Sequence, residues 1–221
     1  MPNPLVSIIV PSRDRPAGLL RFIVSALMTT QGHAVEIVPV LDAPDTESRG
    51  LLDSLSQLAG LRTVIMPDDY VHGHAMQKFQ AGYEAALGDW IVSGTDDVTL
   101  RAGWLDAMLA HPNQGYIGFY DSLWEGRLAT LIMVSRKYIE TTMHGRYGLT
   151  WYHVHGADAE WQARAKAIGA FTICPGAGFD NHRSDKTPDK LRKFGQQFHK
   201  KDGDTFAQRQ RAGFPEDWPE A

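Results

Sequence analysis

The stretch Gly88-Asp89-Trp90-Ile91-Val92-Ser93-Gly94-Thr95-Asp96-Asp97 decides the fold. Gly88 ends a helical pattern, Trp90 to Val92 is an apolar run of strand length, and the chain then turns into two adjacent carboxylates. Asp96 and Asp97 therefore stand where a strand runs out into a loop. In an open α/β sheet, ligands bind outside the carboxyl ends of the strands. Paired carboxylates at such an edge suit a hard divalent cation, held by one or two side chains and the ligand's phosphates. An isolated Asp-Asp pair is more often a solvated turn, so the segments around it carry the argument.

Upstream, Leu5 to Val10 is a β-branched run that reads as a central strand, broken by Pro11-Ser12-Arg13-Asp14-Arg15-Pro16. Leu19, Ile23, Ala26 and Leu27 follow at helical spacing, with Pro16 placed as a first-turn proline and Gly32 as the stop. A second strand, Val35 to Leu41, has Glu36 as its one charge and ends in Asp42. A helix over about 47–58 turns Leu51, Leu52, Leu55 and Leu58 inward. Thr63 to Met66 reads as a short strand followed by Pro67-Asp68-Asp69, and Met76, Phe79, Tyr83 and Ala86 form a helical face leading back to Gly88. Four strands alternating with three helices predict a mostly parallel central sheet with right-handed crossovers and helices on both faces, a three-layer α/β/α domain. Three of the four strands end in acidic residues, and the first ends in a Ser-Arg loop. That polar edge is the size of a nucleotide site.

Downstream the pattern is less regular. Tyr116 to Tyr120 and Ala129 to Ser135 read as strands, with antiparallel pairing one option. Gly145 to Gly156 is rich in aromatics and histidines. Asp158 to Ile168 reads as a helix, and Ala170 to Cys174 as a last strand with Pro175-Gly176 as its stop. No linker divides the 221 residues, a length that buries roughly 70% of its unfolded surface without staples. A single cysteine, Cys174, excludes an internal disulfide and fits a reducing compartment. The first residues do not read as a signal peptide, and no apolar run reaches the ~18 residues of a membrane span. The expectation is a cytoplasmic chain without a membrane span.

The chain has neither a Gly-x-x-x-x-Gly-Lys loop nor a Gly-x-Gly-x-x-Gly after its first strand. A nucleoside diphosphate would therefore be held by a metal and basic side chains. His72-Gly73-His74 and His153-Val154-His155 lack the spacing of a zinc site and read as loop or acceptor-site residues. Trp124, Trp151 and Tyr152 offer an aromatic floor for a sugar or base, although core packing is the commoner fate of such rings.

Several segments, in order, resemble the family 2 glycosyltransferases of the GT-A fold. Val6 to Pro16 looks like the family's opening, and Gly82 to Ile91 is similar to the segment before its metal motif. Thr95-Asp96-Asp97 resembles the metal motif itself, a variant of Asp-x-Asp. Gly156 to Arg164 resembles the segment that carries the catalytic base, and Pro175 to His182 the strand and histidine that follow. The resemblance spans about residues 5–183. It departs from the family at Thr95, where an Asp is common, at Ala157, where a Glu is common, and at Gln80, where an Asn is common.

The resemblance implies an inverting, metal-dependent transferase that moves a sugar from a nucleotide-diphosphate donor, such as a UDP-sugar, to an acceptor hydroxyl. Mn²⁺ or Mg²⁺ would neutralise the leaving group as a Lewis acid. Asp97 is the expected metal ligand, with His182 as a second because a neutral imidazole suits Mn²⁺. Pro11, Ser12 and Arg13 would meet the nucleotide, with Asp42 and either Asp68 or Asp69 accepting hydrogen bonds from base or ribose. Strand-end turns or helix caps explain those three acids equally well. Asp96 would touch the ribose or the donor sugar. Asp158, in a first helical turn where the macrodipole favours a carboxylate, is the expected general base, with Glu160 as its fallback. Two other readings stand beside this one: a sugar-nucleotide-binding module without catalysis, and a nucleotidyltransferase, which usually has a Gly-rich phosphate loop.

Residues 1–182 are expected to form the GT-A domain, with 183–221 as a basic loop and helix packed on it. From Arg183 to Arg211 nine Lys/Arg face four Asp, a net of +5 in a chain whose net is −4. Such a segment is expected to meet an anion. One expectation is a mobile loop over 183–190 that closes on the donor, with Arg183, Lys186 or Lys190 at the pyrophosphate. The rival is that the segment, including Arg192, Lys193, Lys200, Lys201, Arg209 and Arg211, binds DNA as a polyanionic acceptor. A saccharide acceptor is equally compatible with the rest of the chain.

Overall fold

The computed structural model describes residues 4–58, 60–67, 74–112, 115–182 and 189–218, with side chains 189–192 and 194 left aside. Strands β1 (Val6–Ser12), β2 (Val35–Asp42), β3 (Val64–Met66) and β4 (Trp90–Ser93) alternate with helices α1 (Pro16–Thr29), α2 (Thr46–Ser54) and α3 (Ala75–Ala85). β1 pairs in parallel with both β2 and β4, and β2 in parallel with β3. β1 is buried on both faces, which explains its unbroken apolar run. Val6, Ile8 and Val10 pack against Leu19, Phe22, Ile23 and Ala26 of α1. Ile9 points the other way, into a second core with Met76 and Tyr83 of α3. The charge inside β2 is compensated: Glu36 accepts hydrogen bonds from Ser7 Oγ at 2.6 Å and from Arg62 Nε at 3.2 Å.

The second half adds β5 (Val98–Leu100), α4 (Trp104–Leu109), β6 (Tyr116–Tyr120), β7 (Ile132–Ser135), α5 (Arg136–Thr142), α6 (Ala157–Ala167), β8 (Phe171–Asn181) and α7 (Asp189–Arg211). The sheet order is β3-β2-β1-β4-β7-β6-β8-β5. β7 runs antiparallel to β4 and β6, β8 runs parallel to β6, and β5 antiparallel to β8. Sequence order reverses beside β1, between β2 and β4. That is the switch point at which open α/β sheets bind ligands.

Two expectations change. Pro175-Gly176 does not stop the last strand; β8 runs on to Asn181, and the irregularity opposite Phe119 and Tyr120 absorbs the pair. Asp189 and Lys190 belong to α7 rather than to a loop. Residues 183–188, with Arg183 and Lys186, lie outside the described residues, as do Asp68, Asp69 and His72. The apolar pattern did not mark β5, α4 or α5. Among the described residues no helix is long and apolar enough to cross a membrane.

Candidate active site

Three adjacent strand ends supply the acids and cations on one side of the switch point. Ser12 ends β1, and its Oγ donates to Asp96 Oδ2 at 2.7 Å. Arg15, just before α1, donates to Asp96 Oδ1 at 2.6 Å. The approach is close enough to require a glycine: a Cβ on Gly18 of α1 would stand 2.5 Å from the Asp96 carbonyl oxygen. Asp42 ends β2 and is buried, with Lys78 Nζ 2.7 Å and Arg13 Nε 3.5 Å from its carboxylate. Lys78 also donates to the Ser12 carbonyl at 2.8 Å, which ties β1 and β2 together through α3. Pro11 lies in the part of β1 that pairs with β2 beyond the end of β4.

Burial pushes the Asp96 carboxyl up to about 6, against the pull of Arg15 and Ser12. Burial likewise pulls the Lys78 ammonium below its usual range, against Asp42 beside it. Asp96 thus faces inward, toward Ser12 and Arg15, while Asp97 faces a cavity.

That cavity has a volume of about 250 Å³ and lies between Asp97 and Asp158. Ser93, Gly94 and Thr95 border it after β4, Thr130, Leu131 and Ile132 around the start of β7, and Met76 and Phe79 from α3. Thr95 Oγ1 donates to Asp97 Oδ1 at 2.6 Å and fixes that carboxylate. Among the described residues the lining carries two carboxylates, Asp97 and Asp158, and neither lysine nor arginine. Tyr116 and Tyr147 also border the cavity; burial holds both phenols protonated, and the Asp158 charge adds to the effect on Tyr116.

His182 follows β8. Its N–H donates to the Asp97 carbonyl at 2.7 Å, and its ring Nε2 lies 3.0 Å from Thr99 Oγ1. The sheet brings His182 to Asp97 because β5 pairs with the end of β8. Asp158 is the second residue of α6, whose start is set by Gly156 at φ 91°, a left-handed conformation that a side chain would strain.

The remaining expected residues take structural places. Glu160 is fully buried and forms a two-pronged ion pair with Arg209 of α7, both bonds at 2.7 Å. Tyr152 Oη donates to the same carboxylate at 2.8 Å, and Arg209 lies 3.8 Å from the centre of the Trp151 ring. Glu160 is therefore not a spare base, Arg209 is not a surface cation for DNA, and Trp151 and Tyr152 are core rather than floor. His74 caps α3 and is buried against His153. His155 alone of the four histidines singled out borders the cavity, His72 being undescribed. Gln80 joins α3 to the loop before α6, accepting from Gly148 N–H at 3.0 Å and donating to the Gly145 carbonyl at 3.1 Å. Sequence reading missed Lys78. The available signal was its place one turn before Gly82, on the helix face that packs against the strands.

The profile of glycosyl transferase family 2 matches residues 7–155. Asp158, His182 and α7 lie beyond that match. Among solved structures, the chain is similar to the mannosyltransferase PcManGT from Pyrobaculum calidifontis, in complex with GDP-Man and Mn²⁺. The two share 17% identity at a TM-score of 0.60, over 80% of this chain and 56% of the other. A weaker similarity, 14% identity and a TM-score of 0.45, joins 52% of this chain to 21% of S. aureus TarS. The chain thus spans little more than half of the first of these proteins and about a fifth of the second. No curated protein sequence matches it. With the family's profile over two thirds of its length and the GT-A arrangement of its sheet, the chain belongs to glycosyl transferase family 2.

Proposed function

We propose that the chain transfers a sugar from a nucleotide-diphosphate donor to an acceptor hydroxyl, with inversion and with the help of Mn²⁺ or Mg²⁺. The observation that carries this is the cavity bounded by Asp97 on one wall and Asp158 on another, beside a cluster of cations at the switch point. The GDP-Man and Mn²⁺ bound to the mannosyltransferase of similar fold support the same reading.

The residues fit a divalent cation. Asp97 presents a carboxylate to the cavity at a strand end, and His182 is anchored to its backbone. A cation here would be held by these one or two protein groups and the donor's phosphates. When bound, such a cation supplies Lewis-acid stabilisation of the departing diphosphate. On the nucleotide side, Ser12, Arg13 and Arg15 present the donor-binding edge, and Asp96, Asp42 and Lys78 hold that edge in place. Asp158 takes the proton from the acceptor hydroxyl, on the wall of the cavity away from the switch point.

A screen of nucleotide sugars by thermal shift, with and without Mn²⁺, tests the reading. A donor at 100 times its Kd stabilises by about 2.7 kcal/mol. Asp97→Asn is expected to remove the Mn²⁺-dependent part of that shift while leaving the melting of the free protein unchanged. Unaltered metal dependence in this variant would take Asp97 out of the site.

A further inference from the structure

Asp202 lies on α7, beyond the residues matched to the family, and is fully buried. Its carboxylate accepts three successive backbone N–H groups: Oδ1 from His153 at 3.0 Å, and Oδ2 from Val154 at 2.9 Å and His155 at 2.8 Å. Gly156 and Ala157 come next, so the anchored segment ends three positions before Asp158. The same segment is held from α3, where Ala75 N–H donates to the His153 carbonyl at 2.9 Å. The His153 ring in turn stacks on Phe198 of α7 at 4.2 Å. On the other side of Asp158, Arg209 holds Glu160. Asp202 and Arg209 are about two turns apart on one helix face. Asp158 sits between the two points they grip.

Burying a carboxylate costs a great deal unless it is hydrogen-bonded. Here the compensation comes chiefly from three consecutive amides of one short loop, with the His153 ring Nδ1 at 3.4 Å from Oδ1 beside them. A lone loop amide needs no buried charge to satisfy it, since water or a hydroxyl serves. Gathering three onto one carboxylate fixes the direction as well as the place of the chain that enters α6.

We propose that Asp202 is a positioning residue: by clamping the His153–His155 backbone it sets where Asp158 meets the acceptor hydroxyl. The role rests on the reading of Asp158 as general base. A base displaced by about 1 Å loses about 10²-fold in rate.

The experiment compares wild type, Asp202→Asn and Leu52→Ala, a core lesion in α2 that controls for lost stability. Asparagine keeps the shape but turns an N–H₂ group toward amide donors. The first readout is hydrogen exchange. Asp202→Asn is expected to speed exchange of amides 153–160 by about tenfold or more relative to the rest of the chain, and Leu52→Ala to leave that ratio unchanged. The second is Mn²⁺-dependent hydrolysis of whichever nucleotide sugar most stabilises wild type, with water as acceptor. At a temperature where all three proteins are folded, kcat of Asp202→Asn is expected to fall about 10²-fold while the donor KM stays within about twofold. Wild-type exchange at 153–160 in Asp202→Asn would overturn the proposal. So would a kcat loss no larger than that of Leu52→Ala, or a loss expressed in donor KM alone. Failure of the base assignment reads out separately: Asp158→Asn would then hydrolyse donor at the wild-type rate, while the exchange data still report what Asp202 holds.

Discussion

The two sides of the cavity are built by different means. On the nucleotide side, Ser12, Asp42 and Asp96 stand at or just past the ends of three neighbouring strands, and their partners Arg13, Arg15 and Lys78 come from the adjoining turn and helix. On the base side, Asp158 and Glu160 lie on a helix whose place is fixed by Asp202 and Arg209, more than forty residues on in sequence. The first arrangement follows from topology, since any parallel sheet gathers its strand ends at one edge. The second depends on buried charges finding each other across the chain. The contrast predicts that the nucleotide side degrades piecemeal, whereas the base side is lost with its clamp.

The largest expected effect tests the base side directly. Asp158→Asn should lower transfer or hydrolysis by about 10²–10⁴-fold and leave donor affinity as it was. Steady-state kinetics beside a donor titration checks this, and near-normal turnover would mean that the cavity wall at α6 has no proton-transfer role.

Next come the buried pairs, one from each side. Arg209→Met removes both 2.7 Å bonds to the buried Glu160, leaving it Arg164 at 3.4 Å and Tyr152 Oη, and is expected to cost about 3 kcal/mol in denaturant unfolding. Lys78→Met leaves Asp42 with Arg13 still at 3.5 Å, so a loss of about 1.5–3 kcal/mol is expected. Donor binding should weaken in the second variant and not in the first. Donor effects in both would erase the distinction between the two sides.

The smallest effect is a pH dependence at the place where the two sides meet. Burial, with the neighbouring His153 as second cause, holds the His74 imidazole down to about 4. The folded protein keeps it neutral while the unfolded chain takes up a proton near 6.5. Its contribution to stability is whole above about pH 6.5 and is lost as pH falls toward 4. Asp96, raised to about 6, acts in the opposite sense, favouring the folded state as pH falls through that value. His74→Asn keeps a good helix cap without the titration. The difference in melting temperature between pH 7 and pH 4.5 should narrow in that variant, and an unchanged difference would assign the acid sensitivity elsewhere.

Much of the nucleotide side was legible in the sequence. Apolar runs of strand length and leucines at helical spacing gave β1 to β4 and α1 to α3, and the acids that follow those runs gave the edge. The base side was legible only as Asp158 near a helix start. Glu160 and Arg209 looked like a spare base and a surface cation, because a residue's type says nothing about whether a partner will bury it. Lys78 was hidden for the same reason: a lysine on a helix reads as solvated until the packed strands show Asp42 beside it.

The sequence by itself determined the layers, the order of the first strands and the chemistry available at their ends, because periodicity and punctuation are local properties of the chain. Tertiary structure alone decided which carboxylates face the cavity and which are internal. It turned Asp97 toward the cavity and Asp96 toward Ser12 and Arg15, two neighbours in sequence with opposite environments. It brought His182 to Asp97 through the pairing of β5 with β8. The physical reason is that a charge's role depends on burial and on partners that arrive from distant segments, and no local pattern encodes either.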